Sequence, residues 1–424
     1  MSQELDLLLE VFPPESRQIV RDLWGALPAD VRRELEATLG ALHRLLGKSK
    51  LPASDLVSLM QRLATPALAP LSTVAIVGPV NVGKSTLYNC LVPEPKDHAE
   101  VSPIPGTTRD IQSVNLGLFA LVDTPGADHG SPVGEQEKDR AMKAAAEADF
   151  MLIVFDAFKS VTASDRELYS ELKRLGKPHL VVLNKIDLVD RRQRSKVVEA
   201  AATVLGLDPE EVVPTAAAHA RGVERLVLEI TAAEPRLLGK LGEMMVPLRR
   251  KLSWQAVRRS TIAAALIALT PIPLMDVIPL TAVQASMVLT VARIYGQEVS
   301  LARALELLTT FGAAWLARLA FQELSKLGGA PGWVISAAVA ASATLAMGYA
   351  SMRWFETGVK PTQKDLQQIA RQSQTRLLET LKRLGRKKAS RKSVTQELED
   401  LMPELTEELE ARESREPEGT PPNP

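Results

Sequence analysis

The stretch Gly78-Pro-Val-Asn-Val-Gly83-Lys84-Ser85 constrains this chain more than any other. It follows a short apolar run, residues 73–77, and precedes an apolar-periodic one, so it reads as a glycine-rich turn between a strand and a helix. Amides of such a turn and of the helix N-terminus can surround phosphate oxygens. Lys84 can reach the outer phosphates of a nucleotide, and Ser85 can ligate Mg²⁺. Gly78, Asn81, Val82, Gly83, Lys84, Ser85 and Thr86 are therefore the residues expected around the phosphates.

Two further motifs follow in order, each at the end of an apolar run. Asp123-Thr-Pro-Gly126 comes after residues 118–122. A carboxylate there can hold Mg²⁺ through a water molecule, and the Gly126 amide can meet a terminal phosphate. Asn184-Lys185-Ile-Asp187 comes after residues 179–183. Asp187 can accept two hydrogen bonds from the N1 and N2 donors of guanine, a pair that adenine does not present. A site built on such bonds discriminates strongly, because the wrong base leaves groups unpaired.

Residues 71–234 as a whole alternate short β-rich runs with helical ones. Strands are expected at 73–77, 111–116, 118–122, 150–155, 179–183 and 212–214, with helices starting near Lys84, Glu137, Ala163, Arg191 and Val223. That rhythm predicts an α/β fold with a mainly parallel sheet covered on both faces. With its ordered motifs, the segment resembles the translation-factor class of P-loop GTPases, particularly the Era and TrmE group. The resemblance implies binding of GTP and GDP, Mg²⁺ held by Ser85, Thr108 and Asp123, and hydrolysis of GTP as a conformational switch. It implies that Thr108, in Pro105-Gly-Thr-Thr-Arg-Asp110, closes over Mg²⁺ and the γ phosphate. It also makes Thr215-Ala216-Ala217 the guanine-side loop, where the family usually has Ser-Ala.

The same resemblance makes Lys84, Thr108, Gly126 and Asn81 the residues expected to act in catalysis. Ala127 stands where Ras-like enzymes carry a water-orienting glutamine, so intrinsic turnover is expected to be slow or to use another group. Asn81 matches an asparagine that helps hold K⁺ beside the phosphates in potassium-activated relatives. Glu135 and Glu137 are open alternatives for placing water, as solvated carboxylates are for both. The five histidines are scattered, and their spacing with the single Cys90 suggests no zinc site.

At 424 residues the chain has room for several domains. Residues 1–70 show apolar stripes at Val20, Leu23, Trp24 and Leu27 and at Val31, Leu35, Leu39, Leu42 and Leu46, interrupted by prolines. They read as an N-terminal helical arm for packing or partner binding. Residues 71–234 form the G domain of the resemblance. Residues 235–360 read as a hydrophobic all-α domain. Within it, 260–292 carries one formal charge, Asp276, and three prolines, and 327–352 carries none. Each is long enough to cross a hydrocarbon layer, and a soluble Ala-rich bundle that buries both is the alternative. The pieces around 268–284, 292–296 and 348–358 resemble the uncharacterised helical domains, DUF697-like, found fused to such GTPases. That resemblance implies membrane association.

Residues 361–424 read as a charged tail, its last 20 or so residues disordered. A basic run from Lys382 to Lys392 and an acidic one from Glu397 to Glu418 cancel within totals of 51 basic and 51 acidic residues. Overall charge therefore recruits neither nucleic acid nor anionic lipid. The single cysteine, and a start, MSQELDLLLE, without a basic region leading into an apolar stretch, point to a reducing compartment. The expected setting is cytoplasmic, with the G domain held at the cytoplasmic membrane by lipid contact through 260–360, and a soluble protein as the alternative. A protein effector and a homodimer are the other expected partners. RNA or ribosome assembly is the competing account, with no Gly-x-x-Gly clamp or aromatic-rich sheet in its favour. A soluble scaffold that binds GTP and turns over slowly is the third.

Overall fold

The computed structural model describes residues 73–92, 118–123, 142–269, 277–297, 332–360, 362–385 and 390–413. They fall into two compact units, one ending at Leu248 and one continuing from Arg249. The first contains β1 (Val74–Gly78), α1 (Lys84–Leu91), β2 (Phe119–Asp123), β3 (Phe150–Asp156), α2 (Ala163–Arg174), β4 (His179–Asn184), α3 (Arg194–Leu205), β5 (Val212–Pro214), α4 (Val223–Ala233) and α5 (Leu238–Met244). The strand at 111–116, the helix start at Glu137 and the arm at 1–70 lie outside the described residues.

All strand pairs are parallel, in the order β2-β1-β3-β4-β5. Every residue of β1, VAIVG, and of β3, FMLIVFD, is buried. Unbroken apolar runs of this kind belong to strands covered on both faces, which parallel strands require because their connections pass over the sheet. One cover is formed by Tyr169 and Leu172 of α2 with Ala201, Ala202 and Leu205 of α3, packed on Val181 and Leu183. A capping box starts α2: the Thr162 amide donates to Asp165 Oδ2 at 2.8 Å while the Asp165 amide donates to Thr162 Oγ1 at 3.4 Å. The helix expected from Arg191 begins instead at Arg194. Asp190 Oδ1 accepts the Arg192 amide at 2.8 Å, and this local turn keeps 190–193 out of the helix.

Because β1 lies inside the sheet between β2 and β3, the chain leaves it in both directions. That reversal opens a crevice beyond the carboxyl ends of β1 and β3, the usual ligand position in open α/β sheets. Gly78, Asp123, Asp156 and Asn184 all stand at strand carboxyl ends.

The second unit consists, among its described residues, of α6 (Arg249–Ala268), α7 (Val277–Ile294), α8 (Gly332–Thr357), α9 (Gln363–Gly385) and α10 (Arg391–Glu413). Small residues let these helices approach closely. A Cβ on Gly348 of α8 would lie 2.6 Å from Val257 Cγ2 of α6 and 3.0 Å from Met287 Sδ of α7. Within α8, Val334–Thr357 is long and apolar enough to cross a membrane, with mean hydropathy 1.5, yet 94% of its most apolar window is buried among the other helices. In the interior, Gln284 Nε2 donates to Thr344 Oγ1 at 3.0 Å. Residues 260–292 are divided between α6 and α7, and 270–276 lie outside the described residues.

An ionic and aromatic cluster joins α6, α8 and α10. Arg250 reaches Glu356 Oε2 at 2.8 Å and Glu410 Oε1 at 2.9 Å. Trp254 Nε1 also donates to Glu410, at 2.8 Å, while its ring stacks on Tyr349 at 5.7 Å. Tyr295, just beyond α7, donates to Glu356 Oε1 at 2.5 Å. Burial first, and then the Glu356 carboxylate, push its phenol well above the usual range.

Residues 363–385 and 391–413 of the charged tail form two long helices, and the second, ending at Glu413, enters the last 20 or so residues expected to be disordered. The reason is periodic. Leu366, Ile369, Ala370, Leu377 and Leu381 in α9, and Val394, Leu398, Leu401, Met402, Leu405 and Leu409 in α10, recur every three or four residues and are buried. The charges occupy the remaining face, where Arg376 pairs with Glu408 at 2.5 Å.

Candidate nucleotide site

The turn between β1 and α1 is set by backbone demands. Gly78 has φ +151°, and a Cβ there would lie 2.2 Å from the Val154 carbonyl oxygen of β3. Gly83 has φ +93°, and its Cβ would lie 2.4 Å from Asn184 Nδ2. Only glycine meets both conditions at either position. Asn81 takes a left-handed conformation, φ 65°, at an exposed position of the turn. Lys84 is buried and its Nζ donates to the Gly78 and Pro79 carbonyls, at 2.7 and 2.6 Å. Its ammonium is thereby folded over the turn. Ser85 and Thr86 follow in the first turn of α1, which carries no acidic residue. A helix start of this composition favours an anion.

Asn184, the last residue of β4, joins the two halves of the site. Its side chain is 2% exposed. Nδ2 donates to the Val82 carbonyl at 2.9 Å, and Oδ1 accepts from Thr215 Oγ1 at 3.1 Å and from the Ala217 amide at 3.0 Å. The phosphate turn and the 215–217 loop are thus tied to one amide. Thr215 is fully buried, and its carbonyl accepts the Ile186 amide at 3.0 Å. Ala216 and Ala217 are buried beside it. The Cys90 thiol of α1 donates to the Ala217 carbonyl at 3.1 Å, and burial raises its pKa.

Lys185 is left-handed, φ 62°. Its Nζ pairs with Asp156 Oδ2 at 2.8 Å and also donates to the Asn81 carbonyl. Asp187 lies within the one-turn helix Ile186–Leu188, with its carboxylate partly accessible and 3.4 Å from His219 Nε2. Its two carboxylate oxygens lie on the segment joined to the buried 215–217 loop by the Ile186 amide.

The structure thus brings together Gly78, Asn81, Val82, Gly83, Lys84, Ser85, Thr86, Asn184, Lys185, Asp187, Thr215, Ala216 and Ala217. Asp123 ends β2, its backbone in register with Gly78. Thr108 and Gly126 lie outside the described residues. Among the described residues, no group of three or more His, Cys, Asp or Glu is arranged to hold a metal. Sequence reasoning missed Asp156. Its signal was available: an aspartate closing the apolar run FMLIVF at a strand end, as Asp123 closes FALV.

Residues 73–185 match the family model described as 50S ribosome-binding GTPase, and residues 241–383 match the domain of unknown function DUF697. The chain is a P-loop GTPase domain of the Era, TrmE and Der type fused to a DUF697 domain. The GTPase part is 40% identical over 167 residues to the tRNA modification GTPase MnmE of Pseudothermotoga lettingae, covering 37% of this chain and 34% of that protein. It is 39% identical over 173 residues to GTPase Der of Trichlorobacter lovleyi, covering 39% and 36%. The chain therefore spans about a third of the length of the curated relatives it matches. A solved Era variant from Aquifex aeolicus bound to GDP·AlF4⁻ is 27% identical and covers 48% of this chain and 69% of that one, with a TM-score of 0.31. The family assignment rests on the sequence matches.

Proposed function

We propose that this protein binds GTP and hydrolyses it to GDP and phosphate as a conformational switch. The observation that carries the reading is Asn184, whose one side chain fixes the phosphate turn and the 215–217 loop together. Base recognition and phosphate binding then form a single site. In it, Asp187 accepts from the guanine N1 and N2 donors, the amides from Asn81 to Thr86 surround the phosphates, and Lys84 neutralises their charge. Bound nucleotide offers Lys84 Nζ phosphate oxygens in exchange for the Gly78 and Pro79 carbonyls.

Mg²⁺ suits the residues present. Ser85, at the start of α1, and Asp123, the last residue of β2, are hard oxygen donors that would hold the cation, which would neutralise phosphate charge when bound. Thr108 and Gly126 sense the γ phosphate in this reading. Asn81, exposed on the outer side of the turn, is the proposed K⁺-side residue. Turnover is slow without a partner, since Ala127 supplies no side chain to orient water.

RNA is the better-supported partner class. The matching family model is described as ribosome-binding, and one relative is named a tRNA modification GTPase. The membrane reading rests on the length and composition of Val334–Thr357, and the burial of that helix weighs against it. The setting is cytoplasmic in either case. GTP turnover by the full-length chain tests both readings, in K⁺ or Na⁺, with ribosomal RNA, with liposomes, or with neither. Stimulation by RNA supports the first reading and stimulation by liposomes the second. No guanine-nucleotide binding under any condition refutes both.

A further inference from the structure

Asp156 is the last residue of β3, in register with Asn184 of β4, and is 6% exposed. Its two carboxylate oxygens do different things. Oδ1 accepts the amides of Phe158 and Lys159, at 2.9 and 3.3 Å, closing a turn after the strand. Oδ2 faces the Lys185 ammonium at 2.8 Å, and that ammonium donates onward to the Asn81 carbonyl. Lys185 belongs to the base-reading motif and Asn81 to the phosphate turn. Both are non-glycine residues in left-handed conformations, φ 62° and 65°. Such conformations persist where surrounding contacts hold them.

We infer that Asp156 is a positioning residue for nucleotide retention: its carboxylate holds the Lys185 ammonium on the Asn81 carbonyl and so locks the base loop and the phosphate turn in one arrangement. The inference rests on the guanine-nucleotide reading above and adds a residue that touches no nucleotide itself. A charge is required only on the Lys185 side. The turn at 156–159 needs one acceptor oxygen, which an asparagine also supplies. Asp156→Asn therefore separates the two roles: it keeps the Oδ1 acceptor and sets a neutral NH₂ donor against an ammonium, where no hydrogen bond can form.

Release of a fluorescent GDP analogue is measured for the full-length wild type, D156N, K185A and the double variant, with thermal melting of each. D156N is expected to release GDP about tenfold faster, the loss of one charge-assisted hydrogen bond. In the K185A background the same change is expected to add less than about twofold, because the group it acts through is gone. Equal release by D156N and wild type overturns the inference while leaving the nucleotide reading intact. An effect of D156N that is the same with and without Lys185 also overturns it, since Asp156 then acts only through its turn. A wild type that binds no guanine nucleotide overturns the nucleotide reading itself, and this inference with it.

Discussion

Replacing Asn184 by alanine is the sharpest test of the site, because the side chain makes three buried hydrogen bonds and no water replaces them at 2% exposure. Two of the orphaned groups, the Val82 carbonyl and the Ala217 amide, are backbone atoms that cannot rotate to new partners. The Thr215 hydroxyl can. Leaving a buried group unsatisfied costs about 1–3 kcal/mol, so the two fixed groups together cost about 2–6 kcal/mol. Part of this loosens the unit, and part appears as weakened binding, because the amide sets the distance between phosphate turn and base loop. A division near half, about 1–3 kcal/mol, predicts GDP affinity lower by about fivefold to about 150-fold. The assay is titration with a fluorescent GDP analogue beside a thermal melt of the same preparation. Affinity within about threefold of wild type, with a melt that also holds, would refute the claim that this amide organises the site.

Gly83→Ala is expected to abolish measurable GDP binding while the far-UV circular dichroism stays native, since φ +93° and a 2.4 Å approach to Asn184 Nδ2 leave no room for Cβ. Gly348→Ala should act only on the helical unit: its Cβ would meet Val257 at 2.6 Å, for an overpacking cost of about 1–3 kcal/mol in chemical denaturation, with GDP affinity unchanged. Tyr295 gives a pH signature. Its folded-state pKa is raised above the unfolded value, so its stabilisation is complete below about pH 10 and is lost as pH rises further. The melting temperature of the wild type should therefore fall more steeply above pH 10 than that of Tyr295→Phe, and parallel curves would refute the assignment.

Much of the α/β unit was legible in the sequence because its signals are local. Gly78 and Gly83 are demanded by backbone geometry within a few residues, and the runs VAIVG, FMLIVFD and HLVVLN announce strands by composition alone. Motif order then placed Lys84 and Asp187 in the segments that follow strand carboxyl ends, since a parallel sheet brings all such ends to one side. The roles of Asn184 and Asp156 were less legible. From sequence Asn184 reads as support for the base site, with a cap on Ile186 and Asp187 as the lesser alternative, and only its contact with Val82, 102 residues away, shows it tying two loops together. Asp156 carries no motif of its own.

The helical unit divides in the same way. Alanine-rich composition marked 327–352 as an apolar helix, observed at 332–357, but its surroundings could not follow from composition, because lipid and the faces of other helices are alike apolar. Packing supplies the part that is seen: α6, α7 and α9 lie against α8, and 94% of its most apolar window is buried. The tail shows the converse, since its apolar stripe every three or four residues was present in the sequence but outweighed there by dense charge. What the sequence determined by itself were the strands, the phosphate turn and the residue types of a guanine site, each encoded within a short span. What tertiary structure alone decided was which distant groups meet: Asn184 with Val82 and Ala217, Asp156 with Lys185, and α10 with Arg250 and Trp254. Contacts between residues far apart in the chain depend on how whole elements pack, and no local pattern records that.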